Sequence, residues 1–237
     1  MARISALLFA SILLIPVARP ASAEWKRILG AADDDIRVYS RKSETGYTEY
    51  KGVTSVESPL GALIAVFRDV DAIPLWFDKT KEVKVVKTVS DTEYYVYTTL
   101  AAPFPIKDRD SVVRTVISQD PKTLVVTVTG TSVPDLVPED EDHVRVRIIE
   151  SSWTLIPKGD GLVEVAFQCY SDPGGKIPAW LLKVAGKTIL KRSPYKTLKR
   201  LKRLVGREKY RGKTFPYIKE PPDQRPPPDP SLPLPSK

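Results

Sequence analysis

The sequence predicts an α+β fold in which a curved antiparallel sheet wraps around one long C-terminal helix, an arrangement that can enclose a cavity. Three observations carry this. Between Lys81 and Tyr170, apolar residues recur at every second position in successive short segments, the period of half-buried strands. The turn signals Ser90-Asp91, Gln119-Asp120-Pro121 and Lys158-Gly159-Asp160-Gly161 separate these segments, and connections this short join antiparallel neighbours. Beyond Asp172-Pro173-Gly174-Gly175 the period lengthens to that of a helix as far as about Val205.

The elements follow in order. Met1 to Ala23 stands outside the fold: Arg3, an apolar run from Ile4 to Val17 and the small residues Ala21-Ser22-Ala23 form the pattern of a secretory signal peptide. The folded domain is expected at 24–207, outside the cytoplasm and in a bacterial periplasm. Glu24 to Ala32 reads as a short helix with Trp25, Ile28 and Leu29 on one side. Ile36 to Lys42 and Thr48 to Val56 read as strands. Ser58-Pro59 opens a helix, Ser as cap and Pro in the first turn, with Leu60, Leu63, Ile64 and Phe67 on its buried face. Asp71 to Phe77, containing Trp76, makes a further helical turn. Strands are expected at Glu93–Leu100, Ser111–Ser118, Leu124–Thr129, Val144–Leu155 and Leu162–Tyr170. The closing helix starts at Ile177-Pro178-Ala179-Trp180. Leu181, Val184, Ala185, Thr188, Tyr195, Leu198 and Val205 mark its inner stripe, and Pro194 kinks or divides it. Residues 208–237 read as a basic and then Pro-rich tail without packed structure.

Composition narrows the function. Apolar residues make up 42% of the chain, and a single cysteine, Cys169, excludes an internal disulfide. The net charge of +8 is uneven. Residues 24–175 carry 18 Lys and Arg against 25 Asp and Glu, a net −7, whereas residues 176–219 carry 15 against 1, a net +14. A basic stripe of this kind suits nucleic acid or an anionic membrane surface. Export disfavours nucleic acid and leaves membrane headgroups as the partner; a solvated helix face is the alternative reading.

Groups suited to catalysis are scarce. The one histidine, His143, follows the acidic run Glu139 to Asp142 in a polar turn, so no catalytic residue and no metal site is expected there. No nucleophile elbow, phosphate loop or dinucleotide fingerprint occurs. No cofactor is expected. On the strands, Tyr95, Tyr97 and Thr99 share one face by alternation, and Tyr94, Val96 and Thr98 share the other. Ser111, Val113 and Thr115 share a face of the next strand. A Tyr/Thr face would place a few hydroxyls in an apolar chamber, suiting a lipid with one polar head; the same residues are also ordinary on a half-exposed sheet.

Two runs resemble the START lipid-transfer family. Pro103-Phe104-Pro105-Ile106-Lys107-Asp108-Arg109-Asp110-Ser111-Val112-Val113 is similar to the family's loop leading into an R-D-x-V strand. Asp172-Pro173-Gly174-Gly175-Lys176-Ile177-Pro178-Ala179-Trp180-Leu181 is similar to the start of its closing helix. The resemblance covers roughly Trp25 to Val205. It implies a helix-grip fold, a monomer, and one lipid in an internal tunnel. It also implies a gate formed by the loop Ala101–Asp108 and the helix Ile177–Val205, with Phe104 and Ile106 as apolar tips at the entrance. The lining expected from these readings is Trp76, Tyr95, Tyr97, Thr99, Phe104, Ile106, Val113, Thr115, Phe167, Leu181, Val184 and Thr188. Lys199, Arg200, Lys202 and Arg203 are the expected membrane-surface residues, and Arg109 with Asp110 an ion pair fixing the loop. Sterol-binding members resemble one another in a buried Glu and Arg, for which this chain has residues near Thr99 and Thr115, so a sterol is not implied. The expectation is a carrier and not an enzyme. The alternatives are a cyclase or hydrolase of the wider helix-grip superfamily, and an interaction module working through the Pro-rich tail.

Overall fold

The computed structural model describes residues 24–30, 35–43, 48–178 and 190–222. One open sheet runs in the order β1 (Lys26–Leu29), β2 (Arg37–Lys42), β3 (Thr48–Glu57), β10 (Leu162–Asp172), β9 (Ile148–Gly159), β7 (Val126–Ser132), β6 (Arg109–Gln119), β5 (Glu93–Leu100), β4 (Thr80–Ser90). Every pairing along this path is antiparallel, and β8 (Val144–Arg145) lies parallel to β6. The described helices are α1 (Leu60–Arg68), α2 (Ile73–Trp76) and α3 (Leu190–Val205). Among the described residues no helix is long and apolar enough to cross a membrane.

Alternation sets the two faces of the sheet. Val126, Val128, Trp153, Leu155, Val163, Val165 and Phe167 are buried together with the apolar faces of α1 and α3, and this is the inner face. Leu198, Leu201, Leu204 and Val205 of α3 are all buried, each contributing roughly 1.5–3 kcal/mol. The helix can approach because β3 has no side chain at Gly52: an added Cβ there would lie 2.7 Å from Leu198 Cδ1. Pro194 lies inside α3, which continues past it to Val205. Thr197 Oγ1 accepts from the Asp78 amide at 3.1 Å, and Arg200 pairs with the Asp78 carboxylate at 3.1 Å, joining α3 to the end of α2.

Four expectations are corrected. Residues 26–29 form an edge strand, not a helix: pairing with β2 satisfies their backbone, and Arg27 lies over the Tyr39 ring. The segment expected as one strand from Val144 is split into β8 and β9. Ser58 does not cap α1. Pro59 holds the cap position with φ −59° and ψ 149°, and the Ser58 hydroxyl donates to the Pro59 carbonyl. The fourth correction concerns the tail. Residues 208–222 are packed against the domain: Tyr210 and Ile218 are buried, and Phe215 and Tyr217 lie on the core.

This C-terminal strap replaces the missing cap. The Glu220 carboxylate accepts from the amides of Leu60 (3.0 Å) and Gly61 (2.7 Å), where the helix dipole favours negative charge. Gln119 and Lys219 exchange two hydrogen bonds of 2.8 and 2.7 Å. Tyr210 Oη donates to Asp69 at 2.6 Å, and Lys209 pairs with the same carboxylate at 2.6 Å. Burial pushes the Asp69 carboxyl up, but the bonds from Lys209 and Tyr210 outweigh it and hold it below the ordinary range. The strap passes so close to α1 that a Cβ on Gly61 would lie 2.2 Å from the Lys213 carbonyl oxygen.

A buried ion pair anchors the other side of the sheet. Asp110 and Arg145 meet at 2.8 Å with their side chains 0% and 2% exposed. Arg145 also donates to the carbonyls of Pro134, Val137 and Pro138. The expected Arg109–Asp110 pair is therefore not formed. Arg109 instead donates to the carbonyls of Lys107, Pro173 and Gly174, tying the 101–108 loop to the segment that follows β10.

Three outcomes are expected. Gly61→Ala, which in a free helix interior gains about 1 kcal/mol, should here cost about 1–3 kcal/mol in urea unfolding because the strap must move. Asp110→Asn should cost about 3–5 kcal/mol, since it leaves Arg145 buried without its counter-charge. The lowered Asp69 pKa gives a stabilisation present above about pH 4 and lost as pH falls through the folded value. The stability deficit of Asp69→Asn should therefore be fullest near neutrality and fade in acid.

Candidate functional site

The register arranges the inner face in rows running across the strands. One row consists of Ile117, Val128, Trp153 and Phe167. Trp153 and Phe167 stack with centroids 4.2 Å apart, and Phe67, Trp76 and Phe77 close around them edge-on. This aromatic block is buried apart from the partly buried Phe77 and forms a solid floor. The adjoining row consists of Thr115, Gly130, Ser151 and Cys169, with Tyr94 at one end and Tyr50 at the other. Its middle members are small, and Thr115, Ser151 and Cys169 are only partly buried. Val96, Val113 and Ser132 begin the next row. Side-chain volume thus falls one step from the aromatic block along this row, called the shelf below; over Gly130 itself, Ser151 Oγ and Val113 Cγ1 stand 2.5 and 3.0 Å from where a Cβ would lie.

The shelf is weakly polar. Burial pushes the Cys169 thiol up to about 12, which keeps it neutral. Burial likewise pushes Tyr94 up to about 12, and its hydroxyl donates to the Phe67 carbonyl at 3.2 Å. The Trp76 indole Nε1 is buried without an acceptor among the described residues. An unmade bond of that kind costs about 1–3 kcal/mol.

The loop before β6 is fixed at its base and open at its tip. Asp108 accepts from the Ala102 amide at 2.8 Å and from Lys81 at 2.5 Å. The Lys81 bond is the main cause holding its carboxyl below the ordinary range. Phe104, followed by a cis peptide bond to Pro105, is 94% exposed, and Ile106 is half-buried.

The expected lining residues divide. Val113 and Thr115 lie on the inner face at the shelf. Trp76 and Phe167 belong to the aromatic floor. Phe104 is at the loop tip, with Ile106 beside it. Tyr95, Tyr97 and Thr99 are corrected: antiparallel pairing places them opposite Arg114, Val112 and Asp110, on the outer face. Tyr95 donates to Glu93 and lies under Lys87. Tyr97 is pushed up to about 12 by burial and then by Asp110. The inner positions of β5 are Tyr94, Val96 and Thr98. Thr99 and Thr115 accordingly face opposite sides of the sheet. Leu181, Val184 and Thr188 lie outside the described residues.

Of the four expected membrane-surface residues, Arg200 is paired with Asp78 and Lys202 with Asp35, whereas Lys199 and Arg203 are exposed. Arg192 and Lys196, also exposed, were not singled out in the sequence; their spacing of four and three residues from Lys199 was the available signal. His143 Nδ1 lies 2.9 Å from Asp140 Oδ2 in a surface turn. Among the described residues no group of three or more His, Cys, Asp and Glu is placed to hold a metal ion.

Comparison with known proteins agrees with this geometry. The profile of the START domain family matches residues 16–207. An uncharacterized protein of Pseudomonas aeruginosa is 31% identical over 194 residues, covering 78% of this chain and 89% of that protein. The phosphatidylcholine transfer protein of Rattus norvegicus is 30% identical over 171 residues, covering 70% and 78%. The crystal structure of a STAR-related lipid transfer protein from Xanthomonas axonopodis superposes with a TM-score of 0.68 at 29% identity, covering 77% of this chain and 99% of that one. Human StAR-related lipid transfer protein 5, at 18% identity and a TM-score of 0.64, shares the fold. Matched along most of its length and built with the same gripped helix, the chain belongs to the START domain family.

Proposed function

We propose that this START domain holds one apolar lipid on the inner-face shelf and carries it between membranes outside the cytoplasm, without catalysing a reaction. The carrying observation is the abrupt change from the Trp153–Phe167 floor to the Thr115–Gly130–Ser151–Cys169 row. The partly buried Thr115, Ser151 and Cys169 beside this solid aromatic block mark where an acyl chain would lie. The similarity to lipid transfer proteins supports the same reading. The cargo named for the Rattus relative makes phosphatidylcholine the first lipid to test.

Three further features fit. The unpartnered Trp76 Nε1 is a donor that an ester or hydroxyl oxygen of a guest would satisfy. Phe104 projects from an anchored loop, where it would enter the interfacial layer of a bilayer. The neutral Cys169 thiol and the surface position of His143 support binding over catalysis.

The test is the corrected face. Cys169→Phe fills the shelf, whereas Tyr95→Phe alters the outer face. Native mass spectrometry after incubation with lipid should detect one lipid per chain in the parent and in Tyr95→Phe. Cys169→Phe should stay folded and lose binding at least tenfold, in line with the roughly 1–3 kcal/mol cost of overfilling a packed site. Undiminished binding by Cys169→Phe, or an empty parent with no transfer between liposomes, would overturn the proposal.

A further inference from the structure

Helix α3 carries seven Lys and Arg residues and no Asp or Glu, but its cations are not equivalent. Arg200 and Lys202 are spent on Asp78 and Asp35. Arg192, Lys196 and Lys199 are exposed and have no carboxylate partner among the described residues. Their spacing of four and three residues stacks them on one strip of the helix, over roughly 10 Å of its length. Like charges so placed oppose helix formation. With Leu29 of β1 and Tyr195 they line a surface pocket of about 380 Å³. Lys199 lies over the Tyr195 ring at 5.9 Å.

The pocket therefore combines two chemistries. Three cations call for an anion with several acceptor oxygens. Leu29 and the Tyr195 ring call for an apolar stem attached to it. A phosphodiester on a glycerol backbone meets both demands, whereas a bare ion meets only the first. We infer that the β1–α3 pocket binds the phosphate headgroup of an anionic glycerophospholipid at a membrane surface. This lipid is distinct from the cargo of the shelf, and the site stands or falls independently of it.

The experiment uses the purified protein in three forms: the parent, a pocket variant (Arg192→Gln, Lys196→Gln, Lys199→Gln) and a control that loses the same charge elsewhere on the exposed surface (Lys84→Gln, Lys87→Gln, Lys122→Gln). Unfolding curves establish that all three are folded. Flotation is measured at low salt with vesicles of phosphatidylcholine alone or mixed equally with phosphatidylglycerol. Each cation near an anionic surface is worth about fivefold, so the pocket variant should bind the mixed vesicles roughly 100-fold more weakly. The control should stay within a factor of about two of the parent. Millimolar inorganic phosphate or glycerol 3-phosphate should not displace the parent. Equal losses in pocket variant and control, no loss in the pocket variant, or displacement by inorganic phosphate, which would mark a free-phosphate site, would each overturn the inference. Extraction of phosphatidylcholine from the uncharged vesicles reports the shelf separately: its failure with headgroup binding intact sinks the carrier reading and leaves the pocket standing.

Discussion

The contact between Leu198 and the bare backbone of Gly52 determines how the rest of the molecule is arranged. It lets α3 sit directly on the sheet, so the inner face is gripped and not merely covered. Once Leu198 is seated, helical geometry fixes every other residue of α3. Leu201, Leu204 and Val205 follow onto the core. Thr197 and Arg200 are brought to Asp78. The strip bearing Arg192, Lys196 and Lys199 is turned outward. One small residue on β3 thus sets both the apolar interior and the charged exterior of the closing helix.

The charge asymmetry of the chain has a structural purpose beyond solubility. The acidic body supplies Asp35, Asp69 and Asp78; the basic C-terminal segment supplies Lys202, Lys209 and Arg200. With their Lys and Arg ends in contact with solvent, these pairs contribute little individually. Together they fix the register of the last elements against the sheet. Arg192, Lys196 and Lys199 of the β1–α3 strip take no part in this register. A sequence count cannot separate paired from unpaired cations here, because Arg200 and Lys202 lie within the same sixteen-residue helix as the strip.

Much of the fold was legible because periodicity is a local property. The alternation in Val163, Val165, Phe167 and Cys169 marks an inner face directly, and the Asp172-Pro173-Gly174-Gly175 run marks the end of the sheet. Sidedness was less legible. On β5, Tyr94-Val96-Thr98 and Tyr95-Tyr97-Thr99 are nearly equivalent patterns, and only the register with β6, in which Tyr95 meets Arg114, decides which one lies on the inner face. Short segments failed for a related reason: Lys26–Leu29 has too few residues to show a period, and the free edge of β2 determines its conformation. Pairings between distant residues were out of reach. Arg145, not its neighbour Arg109, neutralises Asp110 across 35 positions. A low-complexity composition also concealed that residues 208–222 hold Tyr210, Phe215 and Ile218, enough apolar surface to dock.

The strap makes the first helix dependent on the last described residues. The amides of Leu60 and Gly61 find their acceptor 160 and 159 positions downstream. Such a link is slow to form, because a long loop must close before it repays its entropy. The N-terminal half of the chain can therefore collapse around its strands yet keep an unsatisfied helix end until nearly all of the polypeptide has arrived. Completion of the first helix is in effect timed by the arrival of Glu220.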